Sequence, residues 1–167
     1  MTAKGLTLGA VLTAITIVIE VTAVYGGEAL IFITILSTLP VYTACRIHPA
    51  AGGISYAAVT ILLLFISPHQ CAFFALTNGL LGLSLGITNH YFKKIISIGI
   101  SATILAGGLA LLLFAFSIPV LMLPLPKDVW LSIVILLGFS LIYASLYQLL
   151  AAYLYKRIGK WAGRSEP

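Results

Sequence analysis

Glu20 is the one acidic residue inside an apolar run of this chain, and an ionisable side chain in hydrocarbon costs at least about 2.5 kcal/mol unless it pairs or binds something. It sits toward the end of the run Leu6 to Val24, so a carboxylate reaching up to a membrane interface is the plainer alternative. If the runs that follow are helices of alternating direction, Tyr25, Glu28, His69, Gln70, Asn78, Asp128 and Trp130 gather at the same end. Carboxylates and amides converging beside aromatic rings are what a small-molecule pocket needs, because the polar groups orient a ligand and the rings stack on it. The candidate substrate-binding residues are therefore Glu20, Tyr25, Glu28, His69, Gln70, Phe74, Asn78 and Trp130, with Phe73 adding to the wall. Tyr25 and Trp130 equally suit an aromatic belt at a membrane surface.

Covalent chemistry lacks its parts. The sequence has no Gly-x-Ser-x-Gly, no His-Glu-x-x-His, no Walker A motif and no paired acids within the apolar runs, which removes hydrolase, zinc-protease and nucleotide-driven readings. His48, His69 and His90 fall in loops on alternating sides and cannot share a metal. Cys45 and Cys71 belong to opposite ends of their segments, too far apart to pair, and read as small apolar packing residues. The expectation is a protein that is not an enzyme and uses no metal or cofactor.

The elements that hold these residues are set by composition. Of 167 residues, 61% are hydrophobic and 8% charged, against about a quarter charged in soluble domains, so the surface must face lipid. The net charge of +5 does not point to nucleic acid, since the basic residues stand between apolar runs rather than on one polar face. At about 20 residues per bilayer crossing, the chain holds one transmembrane domain. Hydropathy and loop signals place helices at Leu6 to Val24, Leu30 to Ala44, Ala51 to Ser67, Cys71 to Thr88, Ile95 to Phe116 and Val129 to Tyr155. A cleaved signal peptide is the weaker reading of the first run, because Lys4 alone makes its basic region and Glu20 stands where small neutral residues are needed. The second and third runs are short, and a re-entrant hairpin around Pro49 is the alternative to two full crossings.

With the N-terminus inside, Lys4, Arg46, Lys93, Lys94, Lys156, Arg157, Lys160 and Arg164 fall on the cytoplasmic side and Lys127 alone outside. The positive-inside rule then predicts a multi-pass protein of the cell membrane with both termini cytoplasmic. Small residues mark faces where helices approach closely. Ala75, Gly79, Gly82 and Gly86 form one such face, Ala102, Ala106 and Ala110 another. On the first helix, Ala3, Thr7, Ala10 and Ala14 share a face displaced from that of Thr13, Thr16 and Glu20, so Ala10 and Ala14 are either internal packing or a docking surface.

Three stretches carry a family resemblance: Leu6-Thr7-Leu8-Gly9-Ala10-Val11-Leu12-Thr13-Ala14; Leu39-Pro40 with its following basic turn and Gly52-Gly53; and Phe73-Phe74-Ala75-Leu76-Thr77-Asn78-Gly79-Leu80-Leu81-Gly82-Leu83-Ser84-Leu85-Gly86. Over roughly residues 5 to 95 the chain resembles the membrane S components of energy-coupling factor transporters, most of all their YybS-like relatives of unknown function. That resemblance implies a six-helix transmembrane bundle which captures a vitamin, a vitamin precursor or a metal ion from outside. It also implies as partners a transmembrane coupling protein and a pair of cytosolic ATPases, with the coupling protein seated on Ala10 and Ala14. The chain departs from the family in stopping at six helices, where YybS-like chains run on, and in lacking the N-terminal His and Met cluster of nickel and cobalt members. The rod-shape protein MreD, a membrane scaffold with no ligand, has similar size and small-residue faces, though its Pro-Asp-Leu type signature is absent.

Overall fold

Proline, serine and histidine punctuate the chain where helices begin. His48 caps the helix that opens on Pro49 by accepting from Ala50 N at 3.3 Å, and Ser67 caps the one that opens on Pro68 by accepting from Gln70 N at 3.3 Å. Proline at the first helical position loses no bond, because its N–H is not needed there. The structure, a computed structural model, describes residues 3–26, 28–116 and 129–161; for 3–6, 8, 28–32 and 155–161 it describes the backbone alone. The proline-rich connection Pro119 to Asp128, Gly27 and Lys127 lie outside the described residues, as do the side chains of Lys4 and Glu28.

The path runs α1 (Ala3–Gly26), a 3-10 segment (Glu28–Ser37), α2 (Thr38–Ile47), α3 (Pro49–Ile66), α4 (Pro68–Leu76), α5 (Asn78–Tyr91), α6 (Lys94–Phe114) and α7 (Val129–Trp161), with no strand among the described residues. Five stretches are long and apolar enough to cross a membrane: Gly9–Gly26, Pro49–Ile66, Pro68–Tyr91, Lys94–Phe114 and Val129–Leu154. The sixth expected crossing is shorter, Ile33–Ile47, and enters through the 3-10 segment. Ten residues of 3-10 helix rise about 20 Å, roughly 5 Å more than the same residues in an α-helix. Of the two arms considered for a re-entrant hairpin at Pro49, α3 has the length of a crossing.

The fourth expected helix is one path in two pieces. Thr77 leaves helical geometry (φ −124°, ψ −91°), and the Thr77-Asn78-Gly79 run explains why, since these side chains compete for backbone bonds or leave the chain free. Neighbours take up the freed groups: Tyr56 Oη donates to Ala75 O at 2.9 Å, while Leu76 O is pressed against Gly108 of α6. A broken helix at membrane depth persists where protein replaces the missing bonds in this way.

Small residues set the packing. A methyl on Gly86 would stand 2.3 Å from Cys45 Cβ, and one on Gly82 2.7 Å from Thr38 O, so α5 lies directly on α2. Gly52 meets Cys45 from the α3 side in the same way. The glycines of α5 and Ala102 and Ala106 of α6 are thus buried packing faces. Cys45 and Cys71 are both free and buried, the latter donating to Thr60 O at 3.2 Å. One core joins Tyr42, Leu81, Leu85, Leu105, Leu136 and Tyr147; a second joins Val41, Val59, Leu63, Cys71 and Phe74.

Candidate functional site

Glu20 does not reach for an interface. It is fully buried, about 9 Å inside the Gly26 end of α1, and its Oε2 accepts from Gln70 Nε2 at 2.7 Å. Gln70 is held for this by the Ser67 cap and the start of α4. The Ser67-Pro68-His69-Gln70 spacing is that of a capping box, yet the Gln70 side chain turns to α1 instead of back to Ser67, whose N–H is already donated to Leu63 O. Ser37, where the 3-10 segment ends, lies beside the carboxyl and donates to Thr34 O at 2.6 Å. Glu20 Oε1 has no hydrogen-bond partner among the described residues.

A second strand of the network meets the first at Thr34. Its carbonyl also accepts from Asn78 Nδ2 at 3.1 Å, and Asn78 Oδ1 accepts from Tyr143 Oη at 3.3 Å. Asn78 is the first residue after the break, so the discontinuity of α4 and α5 and the 3-10 segment face each other across this amide. One polar string therefore links α1, α4, the 3-10 segment, α5 and α7 at one end of the bundle.

Of the residues expected to form a pocket, the structure brings Glu20, Gln70 and Asn78 into this string. Phe74 lies in the neighbouring core, stacked on Tyr56 at 6.1 Å, one layer behind Gln70. Tyr25 and Trp130 are each 80% exposed and His69 is exposed, so these three point away from Glu20. The Glu28 side chain lies outside the described residues. Thr34, Ser37 and Tyr143 are participants that the sequence did not single out; hydroxyls inside apolar runs were the available signal.

The opposite end is polar in a different manner. Asn89 and Gln148 exchange two bonds, Asn89 Nδ2 to Gln148 Oε1 at 2.7 Å and Gln148 Nε2 to Asn89 Oδ1 at 3.1 Å. Arg46 donates to Asn89 O at 3.3 Å, and Lys93 and Lys94 are exposed close by. Asn89 lies nineteen residues beyond Gln70 along α4 and α5, about 28 Å of helix. Across that distance a charge pair is worth about 0.6 kcal/mol at an effective dielectric of 20, too little for Arg46 to compensate Glu20.

Ala10 and Ala14 are exposed and line a groove of about 300 Å³ between α1 and α3, opposite Ala51, Ile54 and Ala58. Its floor is closed by Thr13, which donates to Ser55 Oγ at 2.8 Å, and by Ser55, which reaches Gly9 O at 3.3 Å. The small residues of this face bring the two helices together below and leave a furrow above.

The fold defines an α-helical bundle whose apolar helices give it the make-up of a multi-pass membrane protein. No protein-family model, curated protein or solved structure matches the chain.

Proposed function

We propose that this chain is the membrane-embedded substrate-binding subunit of an energy-coupling factor type importer, taking a small vitamin-like molecule or precursor from outside the cell. The observation that carries it is Glu20, fully buried with Oε1 unpartnered among the described residues, in a polar string that joins five segments. A carboxyl set inward at such a cost is a binding group by default. In this reading the Glu20 end faces outward, the basic end and both termini face the cytoplasm, and the chain holds substrate without chemistry of its own. The exposed groove at Ala10 and Ala14 receives the coupling protein, which brings the ATPase pair.

Exposure of Tyr25, His69 and Trp130 favours a second reading, an MreD-like scaffold in which those side chains form a belt and nothing is bound. Thermal unfolding of the detergent-purified chain against vitamins and their precursors separates the two. The importer reading expects stabilisation by one compound, lost in Asn78→Ala, and co-purification with a coupling protein, lost in Ala10→Trp. Stabilisation by none of them, with Ala10→Trp leaving every partner bound, leaves the scaffold.

A further inference from the structure

Three facts about Glu20 point the same way. Its carboxyl is wholly buried, one oxygen is spoken for by Gln70, and the other makes no hydrogen bond among the described residues. The described lysine and arginine side chains, Arg46, Lys93 and Lys94, stand at the far end of the bundle, and Arg46 is bound to Asn89 O there; His69, at the near end, is exposed. Ionised, the carboxyl presents one negative charge with no lysine or arginine beside it among the described residues. Ser37 sets its hydroxyl beside the same carboxyl while donating to Thr34 O, and the hydroxyl oxygen carries two lone pairs that a cation can use.

We infer that Glu20 Oε1 and Ser37 Oγ form a site for a small monovalent cation, either a free alkali ion or the ammonium head of an amine ligand. Charge sets the valence. Divalent ions are held by several carboxylates or by clusters of His and Cys, and among the described residues no group of three such side chains comes together. Burial sets the size of the charged head, since a quaternary or otherwise crowded cation cannot reach a buried oxygen as a bare ion or a primary ammonium can. Access is short: Gln70 lies in the first turn of α4, next to exposed His69 and Pro68. The 3-10 segment and the break at Thr77 border the same network, and irregular backbone of this kind flanks cation sites in membrane bundles. The inference rests on Glu20 belonging to the proposed substrate site and adds the charge of what is held there.

The test is a titration of the full chain, purified in a non-ionic detergent, with NaCl, KCl or methylammonium chloride at constant chloride, using N-methylglucamine as the balancing cation. The unfolding midpoint is read. One small cation raises it saturably, and Glu20→Gln, which keeps the shape and an acceptor for Gln70, removes the response and begins at the midpoint of the saturated wild type. Ser37→Ala weakens the apparent affinity about tenfold without abolishing it. Response to Na⁺ or K⁺ identifies a free ion; response to methylammonium alone identifies an amine head group. Equal behaviour of wild type and Glu20→Gln in every titration overturns the site, and if Glu20→Gln does not fold, unchanged affinity in Ser37→Ala overturns it. Cation binding without vitamin binding removes the importer and leaves this inference standing. Vitamin binding that ignores cations does the reverse.

Discussion

Gly107 and Gly108 are neighbours on α6 with opposite surroundings, and together they test the close approach of α6 to the broken helix. A Cβ on Gly108 would stand 1.9 Å from Leu76 O and 3.0 Å from Leu76 C, whereas one on Gly107 would meet nothing within 4 Å. An ordinary carbon-to-oxygen contact is about 3.3 Å, so Gly108→Ala must push α6 and the α4 terminus apart by roughly 1.4 Å. Alanine gains about 1 kcal/mol over glycine within a helix, and that gain is all Gly107→Ala experiences. Overpacking costs about 1–3 kcal/mol, and here the obstacle is backbone, which cannot rotate away. Gly107→Ala is expected to stabilise by up to about 1 kcal/mol and Gly108→Ala to destabilise by about 1–2 kcal/mol, a separation of roughly 2–3 kcal/mol between adjacent positions. Reversible denaturation in mixed micelles, followed by tryptophan fluorescence, measures both. Equal stabilities would show that α6 does not lie on Leu76 O, and the account of how the break is accommodated would fail with it.

Asn89→Ala and Gln148→Ala each remove both bonds of the amide pair, so each costs about 1 kcal/mol and a double-mutant cycle returns a coupling of about 0.5–1.7 kcal/mol; additive effects would deny the contact. Phe74→Ala empties a fully buried site and loses about 3–5 kcal/mol, while Phe65→Ala, at a position 83% exposed, changes stability by under about 0.5 kcal/mol in the same micelle assay. Cys45 and Cys71, both buried, resist maleimide in the folded chain and react on unfolding. That silence allows orientation to be read from added cysteines: in intact cells an impermeant maleimide labels Lys127→Cys and spares Lys94→Cys, and the reverse pattern inverts the proposed topology.

Hydropathy was enough to find five long apolar helices, because each must satisfy its own backbone in lipid and does so with a continuous run of non-polar side chains. The two departures come from residues whose effect is tertiary. Thr77-Asn78-Gly79 is weakly helical in any sequence, yet it breaks the helix here because Tyr56 from α3 and Gly108 from α6 are in place to meet Ala75 O and Leu76 O. Leu30 to Ala44 was expected to be one ordinary helix, and nothing in Ile31-Phe32-Ile33-Thr34-Ile35-Leu36 announces a 3-10 path. Within the site, Glu20, Gln70 and Asn78 were legible because charged and amide groups are rare in apolar runs. Thr34 and Ser37 were not, since a hydroxyl in such a run ordinarily bonds its own helix, as Thr13 does with Gly9 O. Which aromatic rings turn inward depends on helix rotation: the packing of α4 against α3 buries Phe74, and the rotation of α7 leaves Trp130 outside.

The two polar ends of the bundle separate stability from binding. At the basic end each of Asn89 and Gln148 both donates to and accepts from the other, and a buried pair matched in this way holds helices in register. At the Glu20 end the network stops one partner short. Ser140 Oγ is also buried without a hydrogen-bond partner among the described residues, and Thr38 Oγ1 and Tyr147 Oη lie beside each other, but these are neutral hydroxyls, and one left unsatisfied costs about 1–3 kcal/mol. Glu20 Oε1 belongs to a group that can carry a full charge, and the charged form pays several kcal/mol to leave water. If the carboxyl served packing alone, glutamine in its place would keep the bond to Gln70, relieve that cost and change nothing else. With that carboxyl ionised, the chain is less stable than its own Glu20→Gln variant until a cation arrives, and the difference in stability between the two, with and without the cation, is the quantity from which a function at this site can be read.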